Sequence, residues 1–259
     1  MNILDTIADY ARERVIQSKK NIPFEEIRRQ AESTPSSNKK TLEQALSGDD
    51  IGFICECKKA SPSKGLIAPD FPYLDIAKDY EAAGAAAISV LTQPKWFLGA
   101  NEYLKEIAAN VAIPCLRKDF TVDEYMIYEA KTLGASAVLL ICSILEEAVV
   151  KDWICLCDDL GLSALVEAHD EAEVEAAARA GARIIGVNNR NLKDFSVDIH
   201  NSGRLKKLVP DNILFVAESG IKTAQDVQAL REDKVNGILI GETLMRADNK
   251  KAMLDELRG

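Results

Sequence analysis

From residue 51 onward, short apolar runs alternate with longer stretches of helical periodicity, and this alternation is the chain's strongest signal. The runs at residues 53–58, 86–91, 113–118, 137–141, 164–167, 184–188, 214–218 and 237–240 read as strands, with room for a helix between successive ones. Strand–helix alternation of this kind predicts a parallel sheet, because parallel neighbours need a crossover between them. Three helical stretches close alike, with Gly84-Ala85, Gly134-Ala135 and Gly181-Ala182 just before a strand. Glycine in that place is a helix C-cap. Eight such units fit a (β/α)8 TIM barrel, whose usual length is ~250 residues. A doubly wound open sheet is disfavoured, since no G-x-G-x-x-G follows any strand. The 259 residues therefore read as one α/β domain, residues 1–259.

Residues 1–50 precede the first strand and read as a helical extension. Ile3, Leu4, Ile7, Ala8, Ala11 and Val15 recur at helical spacing, and Asn21-Ile22-Pro23 breaks the pattern. Thr41 with Gln44 forms the sequence of a capping box, which predicts a third, short helix.

Within the first strand, alternation puts Phe53, Cys55 and Cys57 on one face and Ile54, Glu56 and Lys58 on the other. Ser61-Pro62-Ser63-Lys64-Gly65 then turns away in a polar loop. Other strands end the same way: Lys118 follows Leu116 on one face, Glu167 follows Leu165, Asn188 follows Gly186 and Glu218 follows Val216. Glu56, Lys58, Lys118, Glu167, Asn188 and Glu218 are thus predicted to converge on one mouth of the barrel. A single buried ion pair could be merely structural. Six polar side chains at one end of five strands point instead to chemistry, since lysines and glutamates crowded together shift each other's proton affinity.

Ser219-Gly220-Ile221 follows the seventh strand and Gly241-Glu242-Thr243 the eighth. These are the usual phosphate-binding loops of such barrels, where glycine lets the backbone approach an oxyanion and a helix N-terminus supplies N–H donors. The Trp96-Phe97-Leu98-Gly99 segment after strand two serves either packing or as a ceiling over an aromatic substrate.

Composition narrows the partners. A net charge of −9 argues against nucleic acid or an anionic membrane surface. Asp5, Asp9 and Arg12 interrupt any leader-like apolar run, no stretch reaches the ~20 residues of a membrane span, and a cytoplasmic location is expected. The six cysteines lack C-x-x-C spacing and read as small, buried, reduced residues. The two histidines, His169 and His200, are too few for a His-rich metal site, and no G-x-S-x-G supports a triad. No metal site is expected.

The runs Glu56-Cys57-Lys58-Lys59-Ala60-Ser61-Pro62-Ser63, Leu116-Arg117-Lys118-Asp119-Phe120, Leu165-Val166-Glu167, Ile185-Gly186-Val187-Asn188-Asn189-Arg190-Asn191-Leu192, Glu218-Ser219-Gly220-Ile221 and Ile240-Gly241-Glu242-Thr243-Leu244-Met245 together make the chain resemble the indole-3-glycerol phosphate synthase family. The resemblance extends over essentially the whole chain. It implies ring closure of 1-(2-carboxyphenylamino)-1-deoxyribulose 5-phosphate with loss of CO2 and water, a step of tryptophan biosynthesis needing no metal or organic cofactor. It implies Lys118 as the general acid and Glu167 as the proton-transfer carboxylate, with dehydration falling to Glu167 or to Lys58, which also binds anions. Glu56, Asn188 and Glu218 would position these groups and stabilise positive charge on the anilino nitrogen. Ser61 and Arg190 would bind polar groups of the substrate, and Leu91, Phe97, Leu139 and Leu192 its ring. Ser219, Gly220, Gly241 and the backbone of Glu242 would hold the phosphate. The implied partner is a small phosphorylated aromatic substrate, handled by a monomer or weak homo-oligomer, with association to other tryptophan-pathway enzymes left open. The chain departs from the family at Ala100, where Gly-Ser is usual, and at Gln93, where an acid is common. The competing readings are another phosphate-binding barrel, such as an isomerase or a Schiff-base aldolase, and an inactive barrel acting as a sensor.

Overall fold

The structure, a computed structural model, describes residues 3–35, 37–190 and 196–259. Among these, α1 (Ile3–Asn21), α2 (Phe24–Ser33) and α3 (Leu42–Leu46) precede eight parallel strands that close into a barrel. The strands are β1 (Gly52–Cys57), β2 (Ala87–Leu91), β3 (Cys115–Lys118), β4 (Ala137–Ile141), β5 (Ser163–Ala168), β6 (Ile184–Asn188), β7 (Leu214–Glu218) and β8 (Gly237–Ile240). Each pairs with its sequence neighbours, and β1 closes the ring by pairing β8 on one side and β2 on the other. Between successive strands run α4 (Tyr73–Ala82), α5 (Asn101–Asn110), α6 (Tyr125–Thr132), α7 (Glu147–Asp159), α8 (Glu171–Arg179), α9 (His200–Lys206) and α10 (Ala224–Glu232). After β8 come α11 (Glu242–Arg246) and α12 (Lys250–Arg258). The expected TIM barrel with its helical extension is the fold observed.

Strand alternation divides the core in two. Ile54, Leu116, Leu139, Leu165, Val216 and Leu239 fill the barrel, while Phe53, Cys55, Ile88 and Val90 face the surrounding helices. The glycines before the strands cap helices as expected: Gly84, Gly134 and Gly181 have φ of 80°, 83° and 90°. In each case the next alanine N–H reaches back one turn, as Ala85 N does to Tyr80 O at 3.0 Å. The same turn recurs after α7 at Gly161 and after α10, where Lys234 adopts φ 58° without being glycine.

The extension does more than pack on the outside. Leu42 and Leu46 of α3 belong to the interior cluster and plug the amino end of the barrel. Gly52 and Gly237 leave their space: a Cβ on either would stand 2.9 Å from Leu46 Cδ2. Burial of each leucine contributes about 1.5–3 kcal/mol. Thr41 caps the helix in the expected box, its Oγ1 accepting from Gln44 N while Gln44 Oε1 accepts from Thr41 N. Leu42 N donates to Ser163 Oγ of β5 at 3.1 Å. Above this, α2 packs against α6, with Phe24 edge-on to Tyr128 at 5.7 Å. Ile3, Leu4 and Ile7 of α1 reach the cavity at the opposite, carboxyl end.

Two expectations need correction. Strand β3 begins at Cys115, not at residue 113, because Pro114 has no N–H and the amides of Ala112 and Ile113 both donate to Glu81 Oε1. The cysteines are all free, yet Cys155 is exposed and Cys142 half-buried. Helix α7 buries Val150, Ile154 and Cys157, and Cys155 lies about 100° around from Ile154. No helix among the described residues is long and apolar enough to cross a membrane.

Candidate active site

The carboxyl ends of the strands open into a cavity of about 950 Å³. Its floor holds the inward charges that alternation predicts. Lys118 Nζ lies between two carboxylates, 3.0 Å from Glu167 Oε2 and 3.3 Å from Glu218 Oε2. Beside it Lys58, the first residue beyond β1, puts Nζ 2.5 Å from Glu56 Oε1, and Ser89 Oγ donates to Glu56 Oε2 at 3.4 Å. Asn188 Oδ1 accepts from Arg190 N at 3.0 Å, which fixes the turn leaving β6. Glycines make room for these groups. A Cβ on Gly186 would come 2.4 Å from Glu218 Oε1, and one on Gly241 2.6 Å from Glu56 Oε1.

Burial and charge work against each other here. Desolvation favours neutral Lys118, but Glu167, Glu218 and Glu56 override it and hold the ammonium protonated far above its ordinary range. Burial would likewise raise Glu167, yet Lys118 and His169 keep its carboxyl well below the usual range. Glu218 goes the other way. Desolvation, with the Glu167 and Glu56 charges added, outweighs Lys118 and pushes it up to about 7. Its Oε1 is buried and has no hydrogen-bond partner among the described residues. At neutral pH the floor thus carries a firm cation, a firm anion and a carboxyl poised between forms, which is the equipment of proton transfer.

Around this floor the cavity has two characters. Leu91, Phe97, Leu139 and Phe120 supply an apolar wall, with the Phe97 and Phe120 rings 6.2 Å apart. Ser61 and Arg190 also line it. Leu192 lies outside the described residues. At the opposite corner Ser219 and Gly220 take φ of 67° and 88°, and Thr243 Oγ1 donates to Ile221 O at 2.9 Å, joining the two glycine loops. Ahead of α10, Asp226 Oδ2 accepts from Lys222 N and Thr223 N, so those two amides are already engaged. The short α11 begins directly after Gly241 with no side-chain cap. The Glu242 carboxylate turns to Lys64, at 3.5 Å, and to Arg246, at 3.2 Å.

The aromatic loop divides its labour. Trp96 packs edge-on against Tyr10 of α1 at 5.4 Å, whereas Phe97 faces the cavity. Gln93 Oε1 accepts from Trp96 N at 2.8 Å and Phe97 N at 3.3 Å, so an amide oxygen does here what a carboxylate oxygen can do. Gly99 is needed for close approach, since a Cβ would stand 2.3 Å from Leu91 O. Ala100 is the N-cap of α5 and offers its first turn no acceptor. Ala100→Ser is therefore expected to stabilise the protein by about 1 kcal/mol. A higher urea midpoint at unchanged slope is the expected reading; a midpoint at or below that of the parent would refute it.

Several cavity residues escape a reading of strand ends alone. Ile3, Leu4 and Ile7 come from a helix remote in sequence, and Lys64, Phe120 and Arg246 from loops and α11. His169 sits behind Glu167, 3.3 Å from its Oε1. Alternation could have found it, because Leu165, Glu167 and His169 continue one inward face past the end of β5.

The family model described as indole-3-glycerol phosphate synthase matches residues 4–257. A protein of that name from Ruminiclostridium cellulolyticum is 56% identical over 257 residues, covering 99% of each chain. Another from Lachnoclostridium phytofermentans is 50% identical over 267 aligned positions, covering 99% of this chain and 98% of its own. Among solved structures, 3-hexulose-6-phosphate synthase from Salmonella typhimurium superimposes with a TM-score of 0.66 at 14% identity, over 80% of this chain and 96% of its own. Thiamine phosphate pyrophosphorylase from Pyrococcus furiosus gives 0.60 at 17% identity, over 84% and 96%. These two share the barrel alone, whereas motif content and near-complete coverage at high identity carry more. The chain belongs to the indole-3-glycerol phosphate synthase family.

Proposed function

We propose that this protein converts 1-(2-carboxyphenylamino)-1-deoxyribulose 5-phosphate to indole-3-glycerol phosphate, CO2 and water. The observation that carries the reading is Lys118 held between Glu167 and Glu218 on the floor of a cavity with an apolar wall and a glycine corner. The substrate's aryl ring fits the character of the Leu91, Phe97 and Leu139 wall, and its phosphate that of the Ser219, Gly220, Gly241 and Glu242 backbone. Ser61, Arg190 and Lys58 suit its carboxylate. The phosphate would also find Lys64 and Arg246 close to Glu242.

In the first step the ring carbon bearing the carboxylate attacks the ketone carbon, and Lys118 gives a proton to the ketone oxygen. The developing alkoxide is far more basic than a carboxylate, so a tightly held ammonium still donates to it. The bond to the carboxylate then breaks, CO2 leaves, and its electron pair restores the aromatic ring. The anilino nitrogen expels the new hydroxyl as water, protonated by Lys58, or by Glu167 once it has taken up a proton from solvent. Glu56 and Glu218 stabilise the positive nitrogen. Loss of a proton from the neighbouring carbon to Glu167 completes the indole. The carbon–carbon bond changes need only proton transfer and charge stabilisation, which side chains supply, so no step calls for a metal or organic cofactor.

The test is the growth of indole fluorescence when purified protein meets this substrate in the presence of a chelator. Turnover at enzyme-like rates is expected. A folded protein that binds the substrate without turnover would overturn the reading in favour of a sensor. Failure to bind would favour another phosphate-binding barrel, and borohydride trapping of an imine would point to an aldolase.

A further inference from the structure

Directly past β5, His169 stands between two carboxylates on different elements. Its Nδ1 is 3.1 Å from Glu173 Oε2 of α8 and 3.1 Å from Ser143 Oγ in the segment after β4. Its Nε2 is 3.3 Å from Glu167 Oε1, an ion-pair contact in which the N–H does not aim squarely at the oxygen. The brace is itself fixed. Glu173 Oε2 accepts from His169 N at 2.8 Å, Ser143 Oγ donates to Glu173 Oε1 at 2.6 Å, and Glu173 N donates to the Asp170 cap at 3.0 Å. His169 is not among the residues lining the cavity, so it acts through Glu167.

We propose that His169 is a positioning residue, clamped by Glu173 and Ser143 so that it holds Glu167 Oε1 and leaves Oε2 to face Lys118 and the substrate. The proposal rests on the proton-transfer role given to Glu167 above. A carboxylate that must take up and return a proton benefits from one locked oxygen and one aimed oxygen. Charge reinforces the geometry. Burial would lower the imidazole, but Glu167 and Glu173 raise it to about 10, so it is a cation at neutral pH. The charged groups facing it are Glu167 of β5 and Glu173 of α8; Asn201 of α9 donates to its carbonyl. Those facing Glu167 are His169, Lys118 of β3 and Glu218 of β7. Glu167 thus has a cation on each oxygen. When Lys118 gives its proton away, one cation disappears and Glu167 becomes more basic, while His169 keeps it in place. The base is strengthened after the acid has acted.

The test compares His169→Ala and His169→Gln with the parent by full kinetics and by histidine NMR. Alanine is expected to lower kcat about 10- to 100-fold with little change in KM, the scale of a lost positioning contact. Its acid limb in kcat/KM should move to higher pH by about 1–3, because Glu167 loses a cation. Glutamine, which keeps a neutral N–H donor beside Oε1, should recover much of kcat but not the acid limb. Unchanged kinetics in alanine, or equal loss in both variants tracking lost folded protein, would overturn the proposal. NMR gives a readout independent of turnover, since the chain has two histidines and the signal absent in His169→Gln is His169. It should remain cationic through neutral pH, and its midpoint should fall in Glu167→Gln. A midpoint near the ordinary ~6.5, or one indifferent to Glu167, would overturn the clamp even if the synthase reaction proved wrong.

Discussion

Replacing Lys118 with alanine is expected to lower kcat by about 10²–10⁴-fold, the range of a lost general acid. The loss should fall on kcat more than on KM, since the apolar wall and glycine corner remain. The variant also removes the cation lying 3.0 Å from Glu167 and 3.3 Å from Glu218. Those two carboxylates then repel, and Glu218, already pushed up to about 7, should be protonated through neutral pH. Lys118→Arg keeps a charge between them but holds its proton too firmly to give it, so it should fold normally and stay slow. Single-turnover fluorescence separates chemistry from binding. Parent-like kcat in the alanine variant would remove Lys118 from the mechanism.

The largest expected effect on stability comes from Asp119→Ala. Asp119 is buried, its Oδ1 2.7 Å from Arg14 Nη2 and its Oδ2 3.1 Å from Arg14 Nη1 and 2.7 Å from Thr92 Oγ1. Phe120 N also donates to it at 2.8 Å, so one carboxylate ties α1 to the strand end that carries Lys118. Removing it leaves Arg14 unpaired, and with Arg14 a fifth exposed the cost is expected to be about 3 kcal/mol. Burial alone would raise this carboxyl, but Arg14 and Arg117 hold it below the usual range. Its stabilisation is therefore complete above the unfolded carboxyl value near ~3.9 and is lost as pH falls through the lower folded value. Urea midpoints at pH 7 and pH 3 should show a large parent–variant gap at the first that narrows at the second. Equal midpoints at pH 7 would refute the tether.

What the sequence made legible follows from period and repetition. Two-residue alternation sorted Ile54, Glu56 and Lys58 from Phe53, Cys55 and Cys57, and the same rule on five strands brought six polar groups to one end. Such periodic signals survive without knowledge of neighbours. What stayed hidden depends on pairs distant in sequence. Nothing local to Glu81 announces that its carboxylate ends the ladder before Cys115. Nothing in α3 announces that Leu46 sits over Gly52 and Gly237. His169 was hidden differently: the alternation extends to it, but a lone histidine two places past a glutamate carries no pattern of its own.

The barrel's plug sets an order on the making of the protein. Helix α3 leaves the ribosome before any strand, yet Leu42 N finds its partner 121 positions later, at Ser163. Leu46 must wait longer, until Gly237 of the last strand is made. Closing so long a chain segment costs entropy that only the finished ring repays. A nascent chain that stops short of β8 therefore has an open barrel, with Leu46 missing one of the glycines it packs over. A helix made ahead of all eight barrel strands is among the last elements to be seated.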